Sequence, residues 1–309
     1  MPIISRLGVQ IKMNDRLLRK LAKPLIILAT IIWGTSFVIM KNTLDSVPVL
    51  PLLAFRFLTA AAILAAVFYK SWKGLDRRYF LYGGVMGLLL LIAYVTQTYG
   101  LAGTTPGKNA FLTASYCIIV PFLNWIVSKK RPDRYNVFAA ILCLCGIGLV
   151  SLNTDLTVNR GDALTLLCGF FYAAHIIAVN RFAKDRDIFL LTVLQFATAG
   201  AISLLLAIIT RSWPSQLPRG AVAELIYLTV ACTAGALLFQ NIGQKYTEPS
   251  AASVLLSLEA PFGVFFSILF YNERPNARML LGFALIFLAV LWSETKFEFL
   301  KEKPSGKTK

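Results

Sequence analysis

Long apolar runs, separated by short polar connections, follow one another along nearly the whole chain. A helix rises about 1.5 Å per residue and the hydrocarbon core of a bilayer is about 30 Å thick, so each run is long enough, or nearly so, to cross it. The pattern predicts an all-α integral membrane protein without a separate soluble domain. Its ten predicted transmembrane helices lie at residues 24–43, 49–69, 79–101, 107–128, 135–152, 161–182, 187–209, 221–244, 249–271 and 278–296.

Composition agrees with this class of protein. The 309 residues are 57% hydrophobic and only 15% charged, whereas a soluble domain carries about 25% charged residues. The net charge of +16 does not indicate nucleic-acid binding, because the basic residues cluster in the short connections between apolar runs. The predicted macromolecular environment is therefore a lipid bilayer, with no nucleic-acid partner.

The distribution of basic residues also predicts the orientation. If the N-terminus is cytoplasmic, 23 Lys and Arg residues fall on the cytoplasmic side and six fall outside. Cytoplasmic connections of membrane proteins carry the excess of Lys and Arg. The basic N-terminal tail (1–23) and the basic C-terminal tail (297–309) are therefore both predicted to be cytoplasmic.

Two stretches of the chain, 104–132 and 244–275, are similar to each other. Each begins a helix with small and polar residues and then places a Pro-Phe pair within it. The similarity predicts two homologous halves, 24–152 and 161–296. Since each half contains five predicted spans, an odd number, the second half must be inverted relative to the first. Inverted repeats around a central site are a common architecture of secondary transporters.

Glu259 is the most informative residue of the second stretch, because it lies roughly in the middle of a predicted span. A charge there costs at least about 2.5–3.5 kcal/mol and usually faces a bundle interior or a wet cavity. Pro261 follows it and favours a kink. Glu259 either binds a substrate amine or a proton, or it is a structural carboxylate that ties two helices together. Aligning the Pro-Phe pairs places Ile119 opposite Glu259, so only one half carries the carboxylate.

Arg56 is a second charge within a span. It either reaches the outer interface by extending its side chain or pairs with Glu259, which lies at a similar depth. A buried Arg56–Glu259 ion pair is therefore one hypothesis for both residues.

Polar and aromatic side chains concentrate in the third, fourth, sixth, eighth and ninth spans. Most such groups hold helices together, but their concentration predicts a shared polar cavity. Trp33 lies at mid-membrane, where it forms either a cavity wall or part of the packed core. His175, the only histidine, is either a proton carrier or a packing residue. The candidate cavity residues are Trp33, Tyr94, Gln97, Tyr116, His175, Gln240 and Glu259.

The pattern also bears on cofactors and covalent links. All five cysteines lie within apolar runs, which argues against a disulfide framework. The sequence contains no phosphate-binding loop, so energy for transport would come from a gradient, for example of protons, or from the substrate itself. No cofactor and no metal site are predicted.

Several motifs together resemble the drug/metabolite transporter superfamily, and specifically its EamA-type ten-helix permeases. The first span contains Trp33-Gly34-Thr35-Ser36-Phe37 and is followed by Arg56. Pro121-Phe122 and Pro261-Phe262 occupy matching places in the two halves. Asn272-Glu273-Arg274-Pro275 is similar to the family's Gly-Glu-Arg turn, with Asn in place of the usual Gly, whereas Lys130-Arg131-Pro132 in the first half lacks the turn glutamate.

The resemblance implies a bacterial inner-membrane permease, often an exporter of amino acids or related metabolites. It also implies a central cavity lined by the first, third, fourth, sixth, eighth and ninth spans. We therefore expect a secondary transporter that works by alternating access between two inverted repeats. The sequence leaves the substrate, the direction, the coupling ion and the oligomeric state open.

Three other functions compete with this interpretation. A facilitator without ion coupling would have the same cavity. An integral membrane enzyme would need a constellation of His, Asp or Glu at a membrane face, which one histidine and scattered acidic residues do not supply. A sensor or assembly subunit would need an extramembrane interaction domain, which the short connections exclude.

Overall fold

The computed structural model describes residues 15–129, 131–132, 134–151, 158–214 and 216–295. Most of both predicted tails lies outside these ranges, although the first helix already begins at Asp15. In the described parts, the regular elements are all helical. They are α1 Asp15–Thr43, α2 Val49–Val67, α3 Arg77–Ala102, α4 Pro106–Thr113, α5 Tyr116–Ser128, α6 Arg134–Ser151, α7 Arg160–Phe182, α8 Ile188–Thr210, α9 Arg219–Tyr227, α10 Ala236–Lys245, α11 Pro249–Ser257, α12 Glu259–Tyr271 and α13 Ala277–Thr295, with a 3₁₀ helix at Tyr69–Gly74 and a π-helical turn at Leu228–Gly235.

Eight helical rods in the described ranges are long and apolar enough to cross a membrane. They are α1, α2, α3, the pair α4–α5, α7, α8, the pair α9–α10 and the pair α11–α12. The apolar parts of α6 and α13, at Val137–Val150 and Ala277–Ala289, are shorter. These two helices correspond to the shortest of the predicted spans. In its described parts the chain is thus helical, and it crosses the membrane several times.

Two rods are interrupted near their middle. The first is broken at Ala114 and Ser115, and the second at Leu258. Pro261 is the third residue of α12, within the first turn, where a missing backbone N–H leaves no helical hydrogen bond unmade. In place of the predicted kink, the ninth span has a one-residue interruption at Leu258, three residues before the proline.

The interrupted rods correct the sequence alignment of the halves. Tyr116 begins α5 and Glu259 begins α12, and both helices have 13 residues. Both also end at a left-handed residue, Lys129 and Asn272. By helix position the counterpart of Glu259 is thus Tyr116, and the alignment through the Pro-Phe pairs, which selected Ile119, is out of register by three residues.

Helices of the predicted first half pack mainly on helices of the second. The pairs α6–α13, α2–α8 and α3–α7 are the most extensive, and α1 lies against α10 and α12. Gly146 and Gly282 bring α6 and α13 together, because a Cβ on either glycine would lie 2.8 Å from the other's carbonyl oxygen. The buried core therefore runs between the halves, and the candidate residues lie within it.

Candidate functional site

One cavity between the helices collects most of the predicted polar residues. The cavity is small in this conformation, since about 30 Å³ of it is open to the centre of a water molecule. Its walls come from α1, α2, α3 and α5 on one side of the sequence and from α7, α10, α11 and α12 on the other. The lining residues are Trp33, Ser36, Phe37, Met40, Arg56, Tyr94, Gln97, Tyr116, Tyr172, Ile176, Leu237, Gln240, Leu256 and Glu259.

The structure brings six of the seven candidate residues to this cavity. The residues are all buried, between 3% and 8% exposed: Trp33, Tyr94, Gln97, Tyr116, Gln240 and Glu259. His175 does not line it. Its side chain is fully buried, and its Nε2 lies 3.0 Å from Oε1 of Gln195 on α8. The next residue, Ile176, faces the cavity instead, because one step along a helix turns a side chain by about 100°.

Glu259 lines the cavity at the point where its rod is interrupted. The break at Leu258 makes Glu259 the first residue of α12. The N-terminus of a helix carries a partial positive charge and unpaired N–H groups, which stabilise a carboxylate there. The phenol of Tyr116, at the start of α5, is a polar neighbour of this carboxyl group. Two broken helices therefore present their N-terminal ends to one cavity.

Arg56 contributes the opposite charge from α2, and its side chain is only 1% exposed. Its Nε donates to Oγ1 of Thr233 at 3.0 Å, and its Nη1 lies 3.2 Å from Sδ of Met40. The guanidinium also lies 5.3 Å from the centre of the Tyr94 ring, a favourable cation–π arrangement.

The hypothesised ion pair between Arg56 and Glu259 is not formed in this structure. Both side chains line the cavity, but the ion pairs found among the described residues do not include one between them. Both side chains therefore face the cavity while their contacts are with uncharged groups.

The π-helical turn at Leu228–Gly235 positions two of the cavity residues. The hydroxyl of Thr233 donates to the carbonyl of Leu228, five residues earlier, at 2.7 Å while it accepts from Arg56. The carbonyl of Cys232 accepts from Nε1 of Trp33 at 2.9 Å. Sequence reasoning missed this element, because the apolar run continues through it without a marker such as proline.

Tyr172 on α7 completes an aromatic and amide wall that the sequence did not single out. Its hydroxyl donates to Oε1 of Gln97 at 2.9 Å, and Nε2 of Gln97 donates to Oγ1 of Thr113 at 3.2 Å. The Tyr172 ring packs edge-on against the rings of Tyr94 and Tyr116, with centroids 5.7 and 6.2 Å apart. Gln97 is thus held in one orientation by two side chains.

The site offers side chains for polar recognition rather than for metal binding. Among the described residues, no three or more His, Cys, Asp or Glu side chains lie together where they could hold a metal ion. What the cavity does present is one carboxylate, one guanidinium, two amides and several aromatic rings.

Comparison with known proteins identifies the family. The model of the EamA-like transporter family matches residues 21–152 and again residues 159–295. The chain belongs to the EamA-like transporter family. The resemblance to EamA-type permeases of the drug/metabolite transporter superfamily is thereby confirmed.

The individual relatives of this EamA-like protein agree with that assignment. An uncharacterized transporter of Archaeoglobus fulgidus is 29% identical over 85% of this chain and 82% of its own length. The uncharacterized transporter YoaV of Bacillus subtilis is 22% identical over 88% of this chain and 96% of its own. A solved crystal structure has the same fold, with a TM-score of 0.66 at 17% identity, and the match covers 89% of this chain and 98% of that one. The protein is therefore a multi-pass membrane protein of a transporter family.

Proposed function

We propose that this protein is a secondary transporter that carries small metabolites such as amino acids through the central cavity. The observation on which the proposal depends is the pair of opposite charges in one cavity, Arg56 on α2 and Glu259 on α12, without a direct ion pair between them. A buried charge is costly unless it is paired with an opposite charge, and the hydrogen-bond partners of Arg56 here are uncharged. A substrate with both an ammonium and a carboxylate group would satisfy the two charges together.

The remaining lining residues favour the same substrate class. The ammonium of an amino acid would bind Glu259, and its carboxylate would bind Arg56 as a charge-assisted hydrogen bond acceptor. The rings of Trp33, Tyr94 and Tyr172 would cover the apolar part. Gln97 and Gln240 add amide donors and acceptors for a polar side chain.

The packing of the helices supports the proposal of ten spans in two inverted five-span repeats. If the rods are numbered from one to ten, the second packs on the seventh, the fourth on the ninth and the fifth on the tenth. The third packs on the sixth. Exchanging the two halves converts this pair into the eighth and the first, which also pack together. This is the pattern expected when a pseudo-two-fold axis relates the halves. Rocking of one half on the other would then expose the cavity to each side in turn.

The charge distribution supports the proposed placement in a bacterial inner membrane with both termini in the cytoplasm. On that orientation, the connections with the excess of Lys and Arg face the cytoplasm. Export is the proposed direction, by analogy with EamA-type permeases. Coupling to protons is proposed through Glu259, whose carboxyl group lines the cavity and can take up a proton.

The test is uptake of labelled amino acids and amines into proteoliposomes, with and without an imposed pH gradient. Wild type should accumulate at least one of these substrates when the gradient is present. Glu259→Gln should lower gradient-driven accumulation about tenfold or more, since a hydrogen bond to a charged group is lost. Glu248→Gln, which changes an exposed carboxylate outside the cavity, is the matched control and should behave as wild type.

The same experiment separates the alternatives. Equilibration that ignores the gradient would identify an uncoupled facilitator. Normal, gradient-driven transport by Glu259→Gln would show that Glu259 is a structural carboxylate.

A further inference from the structure

At one end of the bundle, two carboxylates from the second half hold the turn between α3 and α4. Asp162, at the start of α7, is fully buried and accepts from the hydroxyl of Thr104 at 2.8 Å. It also forms an ion pair with Nζ of Lys108 at 2.5 Å. These contacts join the second residue after α3 and the third residue of α4 to the other half of the molecule.

Glu273, in the connection after α12, binds residues that lie between Thr104 and Lys108. Its carboxylate accepts from the hydroxyl groups of Thr105 and Ser267 and from the backbone N–H of Gly107, the last at 2.9 Å. The N–H of Gly107 belongs to the first turn of α4, where N–H groups have no helical partner. We call the arrangement of Thr104, Thr105, Gly107 and Lys108 around Asp162 and Glu273 the turn clamp.

The backbones are also in contact at the turn clamp. A Cβ on Gly161 would lie 2.8 Å from the carbonyl oxygen of Gly100 and 2.7 Å from the carbonyl carbon of Gly103. Neither neighbour is a flexible side-chain end, so α7 approaches the end of α3 as closely as glycine permits. Lys41 closes the same end by donating to the carbonyls of Leu101, Ala102 and Thr104 at 2.7, 3.0 and 2.9 Å.

Three of the helices that meet at the turn clamp, α3, α7 and α12, also line the central cavity. Gln97 faces the cavity one turn before the end of α3, and Glu259 faces it at the opposite end of α12 from Glu273. Twelve steps separate Glu259 from Tyr271, or roughly 18 Å of helix. The turn clamp therefore lies at one end of the helices that line the cavity, well away from Glu259.

The two ends of the bundle differ in how the halves are joined. At the opposite end, Arg186 pairs with Asp76 at 3.2 Å, but the Asp76 side chain is 51% exposed. Exposed ion pairs contribute little to stability, whereas removing one partner of a buried pair leaves an uncompensated charge and is strongly destabilising. The turn clamp differs from this exposed pair in that one of its carboxylates, Asp162, is fully buried.

We propose that the turn clamp is a gate, and that Asp162 and Glu273 are the residues that hold it shut in this conformation. The cavity opens on the clamp side only when both carboxylates release the α3–α4 turn. This inference rests on the proposed transport through the cavity, but the gate itself can be measured without any substrate.

The experiment is thiol labelling of a cavity residue. Ser36→Cys is introduced into a chain whose five native cysteines are replaced by alanine, and a membrane-impermeant maleimide is applied to each face in turn. The isosteric changes Asp162→Asn and Glu273→Gln should each raise the labelling rate from the clamp side about tenfold or more, because a charge-assisted contact is lost. Gly161→Ala should do the same by a different route, since its Cβ would push α7 away from the turn.

Arg186→Gln is the control, because it removes the exposed ion pair at the opposite end and should not raise labelling from the clamp side. Size-exclusion chromatography of each variant shows whether it is folded. If the other variants do not fold, the labelling rate of Glu273→Gln alone tests the gate. Unchanged labelling in folded Glu273→Gln would overturn the gate. Faster labelling in a protein that transports none of the tested metabolites would instead contradict the proposed function and leave the gate in place.

Discussion

Two adjacent glycines on α3 allow the effect of helix packing on stability to be measured separately from the effect of helix propensity. Gly83 faces α8, where an added Cβ would lie 2.5 Å from Cβ of Leu194, whereas nothing lies within 4 Å of an added Cβ on Gly84. The two residues are neighbours on the same helix, so they share depth and backbone conformation. Any difference in stability between the two alanine variants must therefore come from the atoms that each added methyl group contacts.

We expect Gly83→Ala to destabilise the protein by about 1–3 kcal/mol, because α3 and α8 must move apart to admit the methyl group. Gly84→Ala should be neutral or stabilise by up to about 1 kcal/mol, since alanine favours a helix over glycine. Thermal unfolding in detergent measures both. Equal unfolding temperatures for the two variants would contradict the close packing of α3 on α8.

Thr233 and Thr229 provide a matched pair on the π-helical turn. Both are buried. Oγ1 of Thr233 binds Arg56 and Leu228, whereas Oγ1 of Thr229 has no hydrogen bond partner among the described residues. Thr233→Val should therefore destabilise by about 1–3 kcal/mol, because Arg56 loses a partner in a buried position.

Thr229→Val should be neutral or slightly stabilising, because it removes a hydroxyl that makes no bond. Both variants are compared with wild type by thermal unfolding in the same detergent. A larger loss for Thr229→Val than for Thr233→Val would show that Thr233 does not anchor Arg56.

The limits of sequence reasoning are also visible at the residue scale. Arg56 and Glu259 were identifiable because a charge within an apolar run is rare and costly. His175 attracted attention for its chemistry, but the direction in which a helix turns one side chain depends on packing that the sequence does not display. Asp162 gave no signal, since charges at the ends of apolar runs are ordinary, and Glu273 was noted only as part of a turn motif.

Among the elements, the interrupted rod α11–α12 determines what Glu259 can do. Pro261 lacks the N–H that would bond to the carbonyl of Ser257 in a continuous helix. The interruption at Leu258 therefore lies where the proline has already removed one of the hydrogen bonds of a continuous helix. Because of the break, Glu259 starts a helix instead of lying within one.

Pro261→Ala should let α11 and α12 join and should turn Glu259 away from its present position. We expect transport in proteoliposomes to fall about tenfold to a hundredfold, as for other small misplacements of a functional group, while the unfolding temperature stays the same or rises. Pro249→Ala, at the first position of α11, is the control and should retain transport. A fully active Pro261→Ala protein would show that the break does not depend on the proline.

Helix positions were largely predictable, whereas helix irregularities were not. Apolar length located the rods, and proline indicated one of the breaks. The break at Ala114 and Ser115 precedes Pro121 by six residues or more, so a proline alone did not locate it. The π-helical turn has no proline or charge to mark it.

On the scale of the whole molecule, the charge distribution predicts which face is cytoplasmic. Lys184 lies in the connection between α7 and α8, and Arg274 lies in the connection between α12 and α13; both are exposed. Lys184→Cys should be labelled by an impermeant maleimide only from the cytoplasmic side, and Arg274→Cys only from the outer side. Intact cells and inverted membrane vesicles give the two measurements, and the reverse pattern would overturn the proposed orientation.

Which helix of one half packs on which helix of the other was the property least predictable from the sequence. The internal similarity predicted that there are two halves, but it could not say which helix packs on which. That pairing depends on small residues at contacts such as Gly146 and Gly282, whose partners lie more than a hundred residues away. The cavity follows from the pairing, and for this reason its lining was visible beforehand only as a set of candidates.

The π-helical turn at Leu228–Gly235 has an evolutionary consequence. A turn closed by bonds between residues five apart uses one residue more than an α-helical turn. Loss of one residue there would restore an ordinary helix and leave both neighbouring connections unchanged. Chain length usually varies in loops, but here it can vary by one inside a membrane-spanning rod. In proteins of this family that have lost the residue, the equivalents of Trp33 and Arg56 would need other hydrogen bond acceptors. Such proteins are expected to differ in the substrate that the cavity binds.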